Sequence, residues 1–164
     1  MSWYKYQSNQ QIVNKIKQIL LNHPLPRKML ETFGLSSDDI KNHLKIVFED
    51  LDKQYAKGNS DEIVLDKKLL NDNFLENHFH FVVHELYHWI KRRKEKENYF
   101  HDTEEIESFV MAIVWEMIKK KNSNDIYNVM FPIISSHFNK GKNAKKIFKI
   151  MIEKANQIYK EWNL

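Results

Sequence analysis

The chain of 164 residues is 42% apolar and 13% aromatic, a globular rather than disordered composition, with a formal net charge of +4 and no cysteine. Without cysteine there is neither a disulfide framework nor a thiolate metal site, so any bound metal must take histidine and carboxylate ligands. Only 3 Gly and 3 Pro predict a mostly helical fold, and the length suits one domain, residues 1–164, with a real core.

The opening Met1-Ser2-Trp3-Tyr4-Lys5-Tyr6 carries no apolar signal core, and no apolar run is long enough to span a bilayer. A cytoplasmic protein with no membrane partner and no signal peptide is the expectation. Basic clusters stand at Lys91-Arg92-Arg93-Lys94, Lys119-Lys120-Lys121 and from Lys140 to Lys146. The first two fall at the end of a predicted helix, where cations complement the dipole, and acidic residues nearly balance the basic ones overall, so nucleic acid is not the expected partner.

In chain order, Ile12, Val13, Ile16, Ile19 and Leu20 keep a helical period and predict a packing helix over 9–22, ended by Pro24 and Pro26. A short helix follows from Arg27 to Phe33, stopped by Gly34, and Ser36 or Ser37 caps a further turn with Asp38, Asp39 and Ile40. Alternation of Leu44, Ile46 and Phe48 with Lys45, Val47 and Glu49 suits a strand. Lys57-Gly58-Asn59-Ser60 reads as a turn, and Ile63-Val64-Leu65 as a second short strand closed by Asp66. An extended substrate can add to a strand edge through main-chain hydrogen bonds, and Ile63 to Leu65 is the candidate edge.

The central helix, about Asn73 to Lys94, carries the only constellation with a definite chemistry, His84-Glu85-Leu86-Tyr87-His88. This is H-E-x-x-H. Residues four apart share a helix face, so His84 and His88 can present two imidazole nitrogens to one Zn2+ ion. Glu85 lies beside that ion, where a carboxylate can take a proton from water as general base, the zinc-peptidase arrangement. Phe79, Val82, Val83, Leu86 and Ile90 recur at helical spacing and bury one side. His80 extends the row to i, i+4, i+8, but the outer two histidines lie about 12 Å apart along the axis and cannot share one ion. His80 therefore reads as a surface or supporting residue. A third histidine at the metzincin position is excluded, because Lys94 stands there.

The third ligand is expected on the next helix, His101 to Glu116, capped by Asp102 or Thr103. Acids in its first turn suit the dipole, while the rest is apolar nearly all round, and a carboxylate drawn into a buried helix calls for a cation. Glu104, Glu105 and Glu107 are the candidates. Glu116 shares a face with Glu105 and either helps to order the site or makes a salt bridge. Beyond it, Ile126, Val129, Met130 and Ile133 predict a helix interrupted at Pro132, and residues 143–162 a last helix with Ile147, Phe148, Met151, Ile152 and Ile158 on one face.

His84-Glu85-x-x-His88 followed by Glu105-Ile106-Glu107-Ser108 resembles the gluzincins, in which a glutamate on a second helix is the third zinc ligand. The run Glu104-Glu105-Ile106-Glu107-Ser108-Phe109 is also similar to small zincin-like proteins of tailed bacteriophages and, more loosely, to regulatory ImmA/IrrE peptidases. The resemblance covers about residues 44–117. It implies an α+β, predominantly helical, zincin-like domain, in which a short β-sheet packs on the active-site helix beside a glutamate-bearing second helix and the two ends are helical extensions. It further implies His84, His88 and Glu105 as zinc ligands and Glu85 as general base and then proton donor to the leaving amine. Phe109 stands where many gluzincins have an Asp or Asn that orients a ligand histidine, and Tyr87 replaces a small residue. Tyr99, His101, Tyr127 and His137 are candidate oxyanion partners.

The leading expectation is a zinc metallopeptidase of a bacterium or its virus, acting on a protein or peptide substrate. The alternatives are a zincin-fold structural or binding component without turnover, for instance of a phage particle, and a helical interaction module without metal.

Overall fold

Three helices open the chain because prolines and caps cut one helical region into pieces. In the computed structural model, which describes residues 2–58, 61–94, 102–119, 121–138 and 142–164, helix α1 spans Ser2–Asn22 and helix α2 spans Pro24–Thr32. Pro24 stands in the first turn of α2, where its missing N–H costs nothing, so the prolines begin the second helix as well as ending the first. His23 caps α2, its Nδ1 accepting from the Leu25 N–H at 3.1 Å, and burial lowers the His23 pKa below its usual value. The C-terminus closes on Gly34 at φ +69. Leu35 N–H donates to the Leu30 carbonyl and Gly34 N–H to the Glu31 carbonyl, the paired bonds of a Schellman ending that glycine accommodates without strain. Helix α3 follows at Ser37–His43. The Ser36 N–H donates to Asp39 Oδ2 at 3.0 Å, and this bond, joined by Arg93, holds the Asp39 carboxyl below the usual carboxylate range.

The sheet has three strands: β1 Lys45–Glu49, β2 Ala56–Gly58 and β3 Glu62–Asp66, in the order β1-β3-β2. β3 is parallel to β1 and antiparallel to β2. Ile63, Val64 and Leu65 are all at most 1% exposed, the near-continuous apolar run of a strand covered on both faces. The expectation that Ile63 to Leu65 forms a substrate edge is therefore corrected, since both of its edges are already paired and the outer strands are β1 and β2. β2 itself lies where a turn was expected at Lys57 and Gly58; Asn59 and Ser60 lie outside the described residues.

Asp66 ends β3 and caps a 3-10 turn, Lys67–Leu70, by accepting from the Lys68 N–H, while its other oxygen accepts from the Leu51 N–H at 2.7 Å. Asn71 then caps helix α4, Asp72–His78, through the Phe74 N–H. The long central helix expected from Asn73 to Lys94 is in fact two, α4 and helix α5, His80–Lys94, with the buried Phe79 at the break. α5 packs against β2, β3, α2 and α4, and Val82 through Ile90 are buried without interruption.

The chain forms two compact units, Met1–Asn98 and Tyr99–Leu164. The second contains helices α6 Asp102–Ile118, α7 Ser123–His137 and α8 Lys142–Glu161. Asn122 caps α7 by accepting from the Asp125 N–H at 2.9 Å. Contrary to the expected interruption, α7 runs through Pro132. α8 packs on α6 and α7 and buries Ala144, Phe148, Met151 and Ala155, a stripe at helical spacing that gives it one apolar face. With eight helices and one small sheet among the described residues, the fold is α+β and mostly helical. No described helix is long and apolar enough to cross a membrane.

Candidate metal centre

α5 places His84 and His88 one turn apart in the first unit, and the Nε2 atoms of the two rings stand 3.3 Å apart. The rings meet edge to face, with centroids 4.8 Å apart, and both are buried, at 9% and 2% exposed. Two nitrogens each 2.0–2.1 Å from one tetrahedral zinc stand about 3.3 to 3.4 Å apart, so the pair has the separation that such a centre requires. The same distance suits a single shared proton, in which one ring donates to the other. The donor chemistry, two imidazoles in a buried setting, fits zinc.

Glu85 is 8% exposed and turns toward the edge strand. A Cβ at Gly58 of β2 would lie 2.9 Å from Glu85 Oε2 and 2.9 Å from Arg92 Nη1, well inside van der Waals contact. Glycine is what lets this strand backbone approach the carboxylate and the guanidinium together. Neither Gly58 nor Arg92 stands out in the sequence as part of a site, since Gly58 reads as a turn residue and Arg92 as one of a basic cluster. His80, expected at the surface or in support, is 1% exposed with its ring against Phe81 at 4.5 Å. Tyr55, Phe74, His78 and Phe81 form an aromatic group beside it.

In the second unit, Glu104, Glu105 and Glu107 lie in the first turns of α6, with Glu104 buried and the Glu105 side chain 15% exposed. Ser108, fully buried, donates its hydroxyl to the Glu105 carbonyl at 2.8 Å. Glu105 Oε2 is 2.8 Å from His137 Nε2 on α7. His137 is thus beside a carboxylate, a contact that its position in the sequence does not announce. Glu116 is fully buried and pairs with Lys121 Nζ at 2.8 Å, the salt bridge that was one of its two expected roles. Tyr127 is 41% exposed and stacks on Phe131. Tyr99 and His101, together with Lys120, Lys140 and the side chain of Asp102, lie outside the described residues.

Comparison with protein-family models, with curated proteins and with solved structures finds no match to this chain.

Proposed function

We propose that this chain is a zinc-dependent peptidase, with His84, His88 and Glu105 as metal ligands and Glu85 as general base. The observation that carries the reading is the 3.3 Å separation of the two buried Nε2 atoms next to a buried carboxylate on the same helix. What supports Glu105 as the third ligand is the resemblance of His84-Glu85-x-x-His88 followed by Glu105 on the next helix to the gluzincin pattern. Three protein ligands of this kind leave a fourth position for water or substrate.

When bound, the metal supplies Lewis-acid polarisation of the scissile carbonyl and acidifies water. The chain's own groups do the rest. Glu85, buried beside Gly58, takes the proton of the attacking water and passes it to the departing amine, so that the C–N bond breaks with a neutral leaving group. The backbone of β2, as an outer strand close to Glu85, is the main-chain surface against which an extended substrate can lie. Incubation with an unfolded protein tests this directly. Cleavage that a chelator abolishes, that zinc restores and that Glu85→Gln lacks is expected; cleavage unaffected by chelator overturns the metal mechanism, and a zinc-loaded protein that cleaves nothing is a binding or structural component instead.

A further inference from the structure

The contact between Glu105 and His137 does not enter the proposed chemistry, yet it is built. His137 closes α7 and its ring is held edge-on by two aromatic rings, Phe109 at 5.3 Å and Phe138 at 4.9 Å between centroids. Phe109 lies one helical turn beyond Glu105 on α6, so the same face of α6 that carries the carboxylate also carries the ring that fixes its partner. Nε2 then meets Glu105 Oε2 at 2.8 Å, a good hydrogen-bond distance when Nε2 bears the proton. A side chain 48% exposed gains little apolar burial, and this aromatic clamp with a short polar contact is more than a surface histidine needs.

We propose that His137 is a positioning residue for Glu105. By donating to Oε2 it fixes the carboxylate plane and so the direction in which Glu105 is offered to a metal. The proposal rests on the reading of His84, His88 and Glu105 as a zinc site. It also gives Phe109 a purpose: in place of a polar residue that orients a ligand directly, this chain has a ring that holds the residue doing so. Hydrogen-bond partners of ligating carboxylates and imidazoles contribute about 10- to 100-fold to metal affinity.

The test is the zinc dissociation constant of the full chain, measured at one pH by competition with a chromogenic chelator, beside the melting temperature of the metal-free protein. For His137→Leu and His137→Ala, zinc should bind about 10- to 100-fold more weakly than in wild type, with little change in the metal-free melting temperature. His137→Gln, whose amide nitrogen can donate from nearly the same place, should recover most of the lost affinity. Two replacements guard against a folding defect in either. Wild-type affinity in His137→Leu or His137→Ala, or a His137→Gln as weak as both, overturns the positioning role while leaving the zinc site intact. A wild-type chain that takes up no zinc overturns the zinc site and this role together.

Discussion

α5 and α6 are both largely buried helices carrying ionisable side chains, and they accommodate those groups by different means. On α6, Glu105 meets His137 and Glu116 meets Lys121, each at 2.8 Å, so an acid stands beside a base. On α5, two bases stand beside each other, His84 and His88 with nitrogens 3.3 Å apart, and the acid Glu85 is turned to a strand backbone at Gly58. The difference is instructive. Glu116, fully buried next to Lys121, is accounted for by that pair, and burial alone says nothing about metal. Two imidazole lone pairs aimed at one point are satisfied only by sharing a proton or a cation, and that is the stronger sign of a metal centre.

If α5 carries the chemistry, the largest effect belongs to Glu85→Gln, which keeps both histidines and the shape of the side chain but removes the base. Turnover should fall by about 10²- to 10⁴-fold with metal content unchanged; measurable turnover near the wild-type rate would remove Glu85 from the role of base. Next is Gly58→Val, which places a carbon 2.9 Å from Glu85 Oε2 and nearer still to Arg92 Nη2, so that both side chains must shift. A displacement of about 1 Å can cost on the order of 10² in rate, so kcat should drop far more than the melting temperature does. An active Gly58→Val enzyme would show that the approach of β2 to Glu85 is incidental.

On α6 beyond Glu105 the expected effects are structural. Glu116→Ala strips a fully buried carboxylate from Lys121 and should cost about 1–3 kcal/mol in a denaturant titration, without altering zinc content. Loss of zinc at unchanged stability would mean that Glu116 serves the site after all and would blur the contrast between the two helices. The smallest effect lies away from both. His23→Ala removes the cap of α2 and should cost about 1 kcal/mol. Because burial lowers the His23 pKa in the folded state, the unfolded chain binds this proton more readily. The stability it contributes is complete above about pH 6.5 and is lost as pH falls below that toward the folded value. His23→Asn keeps an acceptor that does not titrate, so its melting temperature should fall less than that of wild type between pH 7.5 and 5.5. Parallel curves would contradict the assignment.

Much of this is legible from residue spacing. The buried run around His84, Glu85 and His88 follows from apolar residues three and four apart, and the one-sided face of α8 follows in the same way. Other features escape because tertiary contacts make them. β2 is Ala-Lys-Gly, with no β-branched residue, and becomes a strand only by pairing with β3. The order β1-β3-β2 depends on that pairing, which is why Ile63 to Leu65 reads as an edge and is central. Neither glycine nor proline marks the break at Phe79, while Pro132, which does mark a break, is absorbed within α7. His137 meets Glu105 across 32 positions of sequence, and no local pattern encodes such a contact.

The most direct measurement is the metal content of the purified chain after dialysis, beside that of His84→Ala, by elemental analysis. Close to one zinc per chain in wild type and little in the variant is the predicted result. A wild-type chain that is folded and metal-free would mean that His84 and His88 share a proton in a packing helix, and the peptidase reading would fall with it.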